Sequence, residues 1–135
     1  MADKYLNDTV TLYNYAGEKD DLPLYFRTVI GKCCLFAANG ASAERTPSNS
    51  AKLFLFHEKT DFEGKQYIDS MSWQRLPDEQ KEKYWTIGKT GDDYIIHGIA
   101  NQSIPPDAGF KHRIVSFKEL KKGRNAMWHF EVECR

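Results

Sequence analysis

The sequence predicts a mainly β protein: a small β-barrel or sandwich of six to seven strands, with long loops and one or two short helices. Three observations predict it. Apolar and polar residues alternate with period two along several runs rich in Val, Ile, Thr and aromatics. Gly, Asp, Asn and Pro cluster between those runs, where turns need them. Eight Phe, seven Tyr and three Trp fit pleated surfaces better than helices. The 135 residues are expected to form a single domain, 1–135, that buries about two-thirds of its unfolded surface and needs no staples.

Thr9 to Tyr15 alternates, with Val10 and Leu12 on one face, and reads as a first strand followed by a polar loop, Ala16 to Asp21. Leu24 to Phe36 is too β-branched for a small helix and reads as a long second strand, bent or bulged at Gly31. Residues 37–51 are small or polar and form the first long loop. Loops of this length are commonly functional, so Asn39, Glu44 and Arg45 are candidate subunit or partner contacts; a plain hairpin extension is the competing reading. Lys52 to Glu58 is a strand apolar on both faces. Leu53 and Leu55 suit the core, which leaves Phe54 and Phe56 to a second cover, and a neighbouring subunit would supply one.

Ser72 to Lys83 predicts a short helix, with Trp73 and Leu76 on one face, Pro77 ending that turn or opening the next, and the charges of Asp78 to Lys83 solvated. Tyr84 to Gly98 places two apolar runs around Gly88, Gly91, Asp92 and Asp93, and reads as a β-hairpin. Residues 99–110, stiffened by Pro105 and Pro106, are the second long loop. His112 to Phe117 is a strand, Lys118 to Asn125 a basic turn, and Met127 to Cys134 a closing strand with Trp128, Phe130, Val132 and Cys134 on one face.

Nineteen basic residues balance nineteen acidic ones, which removes the global reason for nonspecific attraction to nucleic acid or anionic membrane. The balance is uneven: Gly109 to Arg135 carries seven Lys and Arg against three acids. Within that stretch Lys118, Lys121, Lys122 and Arg124 are candidates for facing DNA or a neighbouring chain, with a solvated turn as the other reading. Three cysteines, two of them adjacent, predict reduced thiols. The first residues lack a signal-peptide core and no run reaches membrane-spanning length, so a soluble chain made in the cytoplasm is expected.

Few patterns carry chemistry. Four histidines and three cysteines show none of the metal-ligand spacings, so no metal site is expected. Cys34 lies in an apolar strand without a nucleophile elbow, and such a thiol packs rather than reacts. A hairpin turn accounts for Asp92 and Asp93. Gly88 and Gly91 lack the strand, turn and helix setting of a phosphate loop. The expectation is a protein that is not an enzyme and has no cofactor.

One order of segments stands out. Asp8-Thr9-Val10-Thr11-Leu12-Tyr13-Asn14 opens it, and a strand through Arg27-Thr28-Val29-Ile30-Gly31-Lys32-Cys33 leads to a small-residue loop and an apolar strand. Tyr84-Trp85-Thr86-Ile87, Gly91-Asp92 and Ile95-Ile96-His97-Gly98 follow, and Trp128-His129-Phe130-Glu131-Val132 closes the order. It resembles the head-completion, or neck, proteins of tailed bacteriophages and prophages, also labelled head-tail connector or minor capsid proteins.

The resemblance implies a β-barrel core that forms a homo-oligomeric ring beneath the portal or adaptor, closes the DNA-filled head and presents a surface to the tail proteins. It implies a place in the virion neck after synthesis in the bacterial cytoplasm, genome DNA passing without sequence-specific binding, and no membrane. Residues 37–51 would then be a contact or channel loop. The segment Ile99 to Arg124 is long for the group and Asp78 to Lys83 looks like an insert, which leaves the position within the neck open. A tail-completion (tail terminator) protein and a single-stranded nucleic-acid-binding small β-barrel are the alternatives.

Overall fold

The computed structural model describes residues 5–37, 50–88, 91–107 and 111–135. Its strands are β1 (Asp8–Lys19), β2 (Leu22–Ala37), β3 (Ala51–Phe56), β4 (Gln66–Tyr67), β5 (Tyr84–Trp85), β6 (Tyr94–His97), β7 (Lys111–Leu120) and β8 (His129–Cys134). Six of them close an antiparallel barrel in the order β1-β2-β3-β8-β7-β6, while β4 and β5 form a separate parallel pair. The mainly β architecture expected from the period-two runs is therefore the one observed. Two short helices, α1 (Ser70–Gln74) and α2 (Asp78–Lys81), lie between β4 and β5.

Alternation decides what goes inside. Val10 and Leu12 of β1, Ile30 and Cys33 of β2, Leu53 and Leu55 of β3, Ile95 of β6, Ile114 of β7, and Phe130, Val132 and Cys134 of β8 form one buried cluster with Trp85 and Ile87. Trp85 enters from outside the ring. Phe62 stacks on it at 4.5 Å between ring centroids, and Tyr67 packs 4.7 Å from Phe130, so the β4–β5 segment covers one end of the barrel with aromatic rings.

The first hairpin departs from expectation. Ala16 to Lys19 continues β1 instead of looping, and the turn is only Asp20-Asp21, with φ of 54° and 64°. Two successive left-handed residues make the two-residue turn whose twist matches paired strands, and Asp tolerates that conformation. A register shift between Tyr15 and Glu18, around Gly17 at φ 97°, absorbs the extra residues. The bulge expected at Gly31 is present: the pairing slips between Val10↔Ile30 and Asp8↔Cys33, and Lys32 takes φ 52°.

The stretch Tyr84 to Gly98 is not a hairpin. β5 runs parallel to β4, whereas β6 pairs with β1 and β7, so the two apolar runs never pair with each other. What joins them is a buried polar node. The Asn14 side-chain amide donates to the Thr86 carbonyl at 2.8 Å and to Asp93 Oδ2 at 2.9 Å. Asp93 also accepts from the Tyr15 N–H at 2.8 Å and the Gly88 N–H at 2.7 Å. A period-two pattern names a strand but not its neighbour, so alternation alone cannot distinguish this arrangement from the expected hairpin.

The predicted helix divides in two at Pro77. Asp69 caps α1 through Ser72 N–H, Pro77 precedes α2, and Trp73 is fully buried, edge-on to Phe26 at 5.7 Å. The charge run is not wholly solvated. Lys81 is buried over the Trp73 ring, and its ammonium donates to the carbonyl of Gln74, the last residue of α1, and to that of Leu76 just beyond it. Residues 99–107 form neither strand nor helix, consistent with the second long loop, whereas Asn39, Glu44 and Arg45 of the first lie outside the described residues.

Candidate functional site

The outward residues of β2, β3, β8 and β7 form three cross-strand rows, fixed by register. Phe36, Lys52, Glu133 and Ser116 make the first, Cys34, Phe54, Glu131 and Lys118 the second, and Phe56, His129 and Leu120 the third. Alternation that sends Leu53 and Leu55 inward necessarily sends Lys52, Phe54 and Phe56 outward.

Aromatic rings run diagonally across these rows. Phe36 meets Phe54 edge-on at 5.7 Å, Phe54 lies 5.9 Å from His129, and His129 stacks on Phe56 at 5.0 Å. The two phenylalanines of β3 differ in cover. Phe56 is buried beneath the chain's own Leu6 and Cys34, while Phe54 is only partly buried and Phe36 stands 52% exposed. The second cover expected over β3 is thus supplied at Phe56 from within the chain and left incomplete at Phe54 and Phe36. Sequence reading missed Phe36, whose outward direction depends on where the Gly31 bulge shifts the alternation.

Charges alternate with the rings. Lys52 Nζ lies 3.8 Å from Glu131 Oε1, His129 Nε2 lies 3.2 Å from Glu131 Oε2, and Ser116 donates to Glu133 at 3.3 Å. Such pairs on a partly exposed face are worth at most about 1 kcal/mol each in isolation. Their weight changes when another surface excludes water from them.

The basic run of the sequence is split by the length of β7. Lys111 and Arg113 sit at its start, within 4.5 Å and 5.7 Å of the Tyr94 ring centroid. Lys118 lies five residues beyond Arg113, about 17 Å at an ordinary strand rise, and Lys121, Lys122 and Arg124 follow past the end of the strand. Lys118 is on the outer face beside Glu131. Lys121 is held 5.4 Å over the Trp128 ring and 3.9 Å from Glu119, and Lys122 and Arg124 are exposed in the turn before a 3-10 segment, Asn125–Met127. Of the aromatics beside this turn, Phe117 packs against the core and Trp128 carries Lys121 over one face of its ring.

At the surface of the covered end of the barrel, His57 and Glu119 meet at 2.5 Å, with His57 stacked on Phe130 at 4.7 Å. A pocket of about 370 Å³ opens beside them. The thiols are buried and biased toward the protonated form: burial, then the nearby Asp8 carboxylate, pushes Cys33 up to about 12, burial does the same for Cys134, and burial followed by Asp8 raises Cys34. Among the described residues no cluster of three or more His, Cys, Asp or Glu could hold a metal ion, and no helix is long and apolar enough to cross a membrane.

A family model described as a family of unknown function (DUF6751) matches residues 5–135. No curated protein and no solved structure gives a significant match.

Proposed function

We propose that this chain, which belongs to the family of unknown function DUF6751, is a bacteriophage virion structural protein: a head-completion component of the neck. In this reading it forms a ring between portal or adaptor and tail and carries out no catalysis. Two things support the reading. The order of segments resembles that of neck proteins, and the outer face of β2, β3, β8 and β7 is built like a chain-to-chain contact.

The observation that carries it is the exposed Phe36 ring against the half-covered Phe54, bordered by Lys52, Glu131, Glu133 and Lys118. An apolar centre with charges of both signs around it gives a neighbouring subunit area to bury and a register to find. Zero net charge suits a channel along which DNA slides without being gripped.

Inactivating the gene in the phage or prophage that carries it tests the reading. Heads are expected to package DNA and then lose it, with unattached tails accumulating. Phe36→Asp, placed on an exposed ring, is expected to reproduce that defect with a normally folded protein. Sealed heads with defective tail tops would move the assignment to tail completion. Single-stranded DNA binding that weakens steeply with salt and disappears in a Lys121→Ala, Lys122→Ala, Arg124→Ala variant would replace both with the nucleic-acid reading. Fully infectious particles would overturn it.

A further inference from the structure

A closed barrel has no edges, but this one carries an arm that does. β3 covers β2 only from Cys34 to Ala37, so the outer side of β2 from Leu22 to Val29 has no strand beside it among the described residues. Register with β1 makes Tyr25, Arg27, Val29 and Gly31 the residues whose N–H and C=O point to that side. A ladder begins there and stops. Gly31 and Asp61 exchange both backbone bonds at 2.9 Å, after which the chain turns away at Glu63 and Gly64, with φ of 58° and 75°.

Two side chains stand in for the strand that does not continue. Glu63 Oε1 accepts the Val29 N–H at 2.7 Å, and Lys65 Nζ donates to the Arg27 carbonyl at 2.6 Å and to Thr28 Oγ1 at 3.0 Å. Both are held at some cost. Glu63 occupies left-handed backbone that disfavours a Cβ. Burial, opposed by Glu63 and Glu82, lowers the pKa of Lys65. A groove of about 610 Å³ runs beside the edge, lined by Tyr25, Arg27, Val29, Glu63, Lys65 and Glu82 among others.

We infer that the outer edge of β2 is a strand-pairing surface for a second copy of this chain, held closed in the single chain by Glu63 and Lys65. The edge is self-complementary. Antiparallel pairing about a two-fold axis at Phe26 sets the outward N–H and C=O of Tyr25 in each copy against those of Arg27 in the other, so each edge satisfies the other while the Arg27 guanidinium stays on the Ala100 carbonyl and the Tyr25 ring on Tyr13 and Tyr15. Pro23 limits it: the two-residue turn directs its nitrogen outward, where a proline ends pairing at no cost to the β1 ladder. This inference does not depend on the neck assignment.

Sedimentation velocity over a concentration series, with amide exchange read residue by residue, tests it. The unaltered chain is expected to sediment as one copy, and a Glu63→Gly, Lys65→Met variant as two, with exchange at Tyr25 and Arg27 slowed by about tenfold or more. Adding Arg27→Pro to that variant, where the lost N–H points away from β1, is expected to restore a single copy. If the double variant is unfolded by tryptophan fluorescence, Glu63→Gly alone decides, since glycine accepts φ 58°; it should dimerise more weakly. Variants that remain single copies, or that pair without slowing those two amides, overturn the inference.

Discussion

At the scale of single residues, Asp93 is the side chain whose part was least visible in the sequence. Beside Asp92 after a glycine it reads as a turn residue, and Asp92 is indeed exposed. Asp93 is instead buried and collects three donors, from Tyr15, Gly88 and Asn14. Glycine at 88 is required by that contact, since a Cβ there would lie 2.9 Å from Asp93 Oδ2. Asp93→Ala strands buried donors and is expected to cost about 3 kcal/mol in denaturant unfolding, against less than about 0.5 kcal/mol for Asp92→Asn. Burial raises the Asp93 pKa against the pull of its donors. Its carboxyl therefore favours folding most below the ordinary carboxylate range and less as pH rises through its folded value. Nothing in one sequence separates two adjacent aspartates, because the difference lies in Asn14, 79 residues away.

At the scale of elements, the strands were legible and several of their partnerships were not. Val10 and Leu12, Leu53 and Leu55, and Phe130 and Val132 point inward as their alternation demands. Alternation does not say that β5 leaves the ring to pair with β4, nor that Lys81 folds back to cap α1. The surface at β3 was half legible: Phe54 and Phe56 both face out, but only the fold shows that Leu6 covers Phe56 and that Phe36 extends the strip. Trp85 remains the anchor of its segment, between Phe62, Tyr67 and Phe130. Trp85→Ala is expected to cost about 3–5 kcal/mol, measured by the urea midpoint at unchanged slope. Unchanged stability would mean that the β4–β5 cover is not part of the cooperative core.

At the scale of the whole molecule, the three thiols report on closure. Cys33, Cys34 and Cys134 are all free and buried on adjoining parts of the wall. In the native protein a thiol reagent at pH 8 is expected to label none of them on mixing, and all three after denaturation. Cys33 and Cys134 are raised from an ordinary 9.0 to about 12 in the fold. The unfolded chain therefore releases those protons first, so stability is full below about pH 9 and falls as pH rises toward 12. Thermal melts between pH 8 and 11 check the sign, and a melting temperature that rose over that interval would contradict it.

The seam of the barrel joins distant stretches of chain: Thr11 Oγ1 donates to the Gly98 carbonyl across 87 residues. On the ribosome, β1 and β2 can meet as soon as both have emerged. The face they prepare, with Val10, Leu12 and Ile30, then waits for β6 before it is shut in. For that interval the β1–β2 hairpin shows its apolar face to solvent, and the step that ends the exposure is the non-local pairing of β6 with β1.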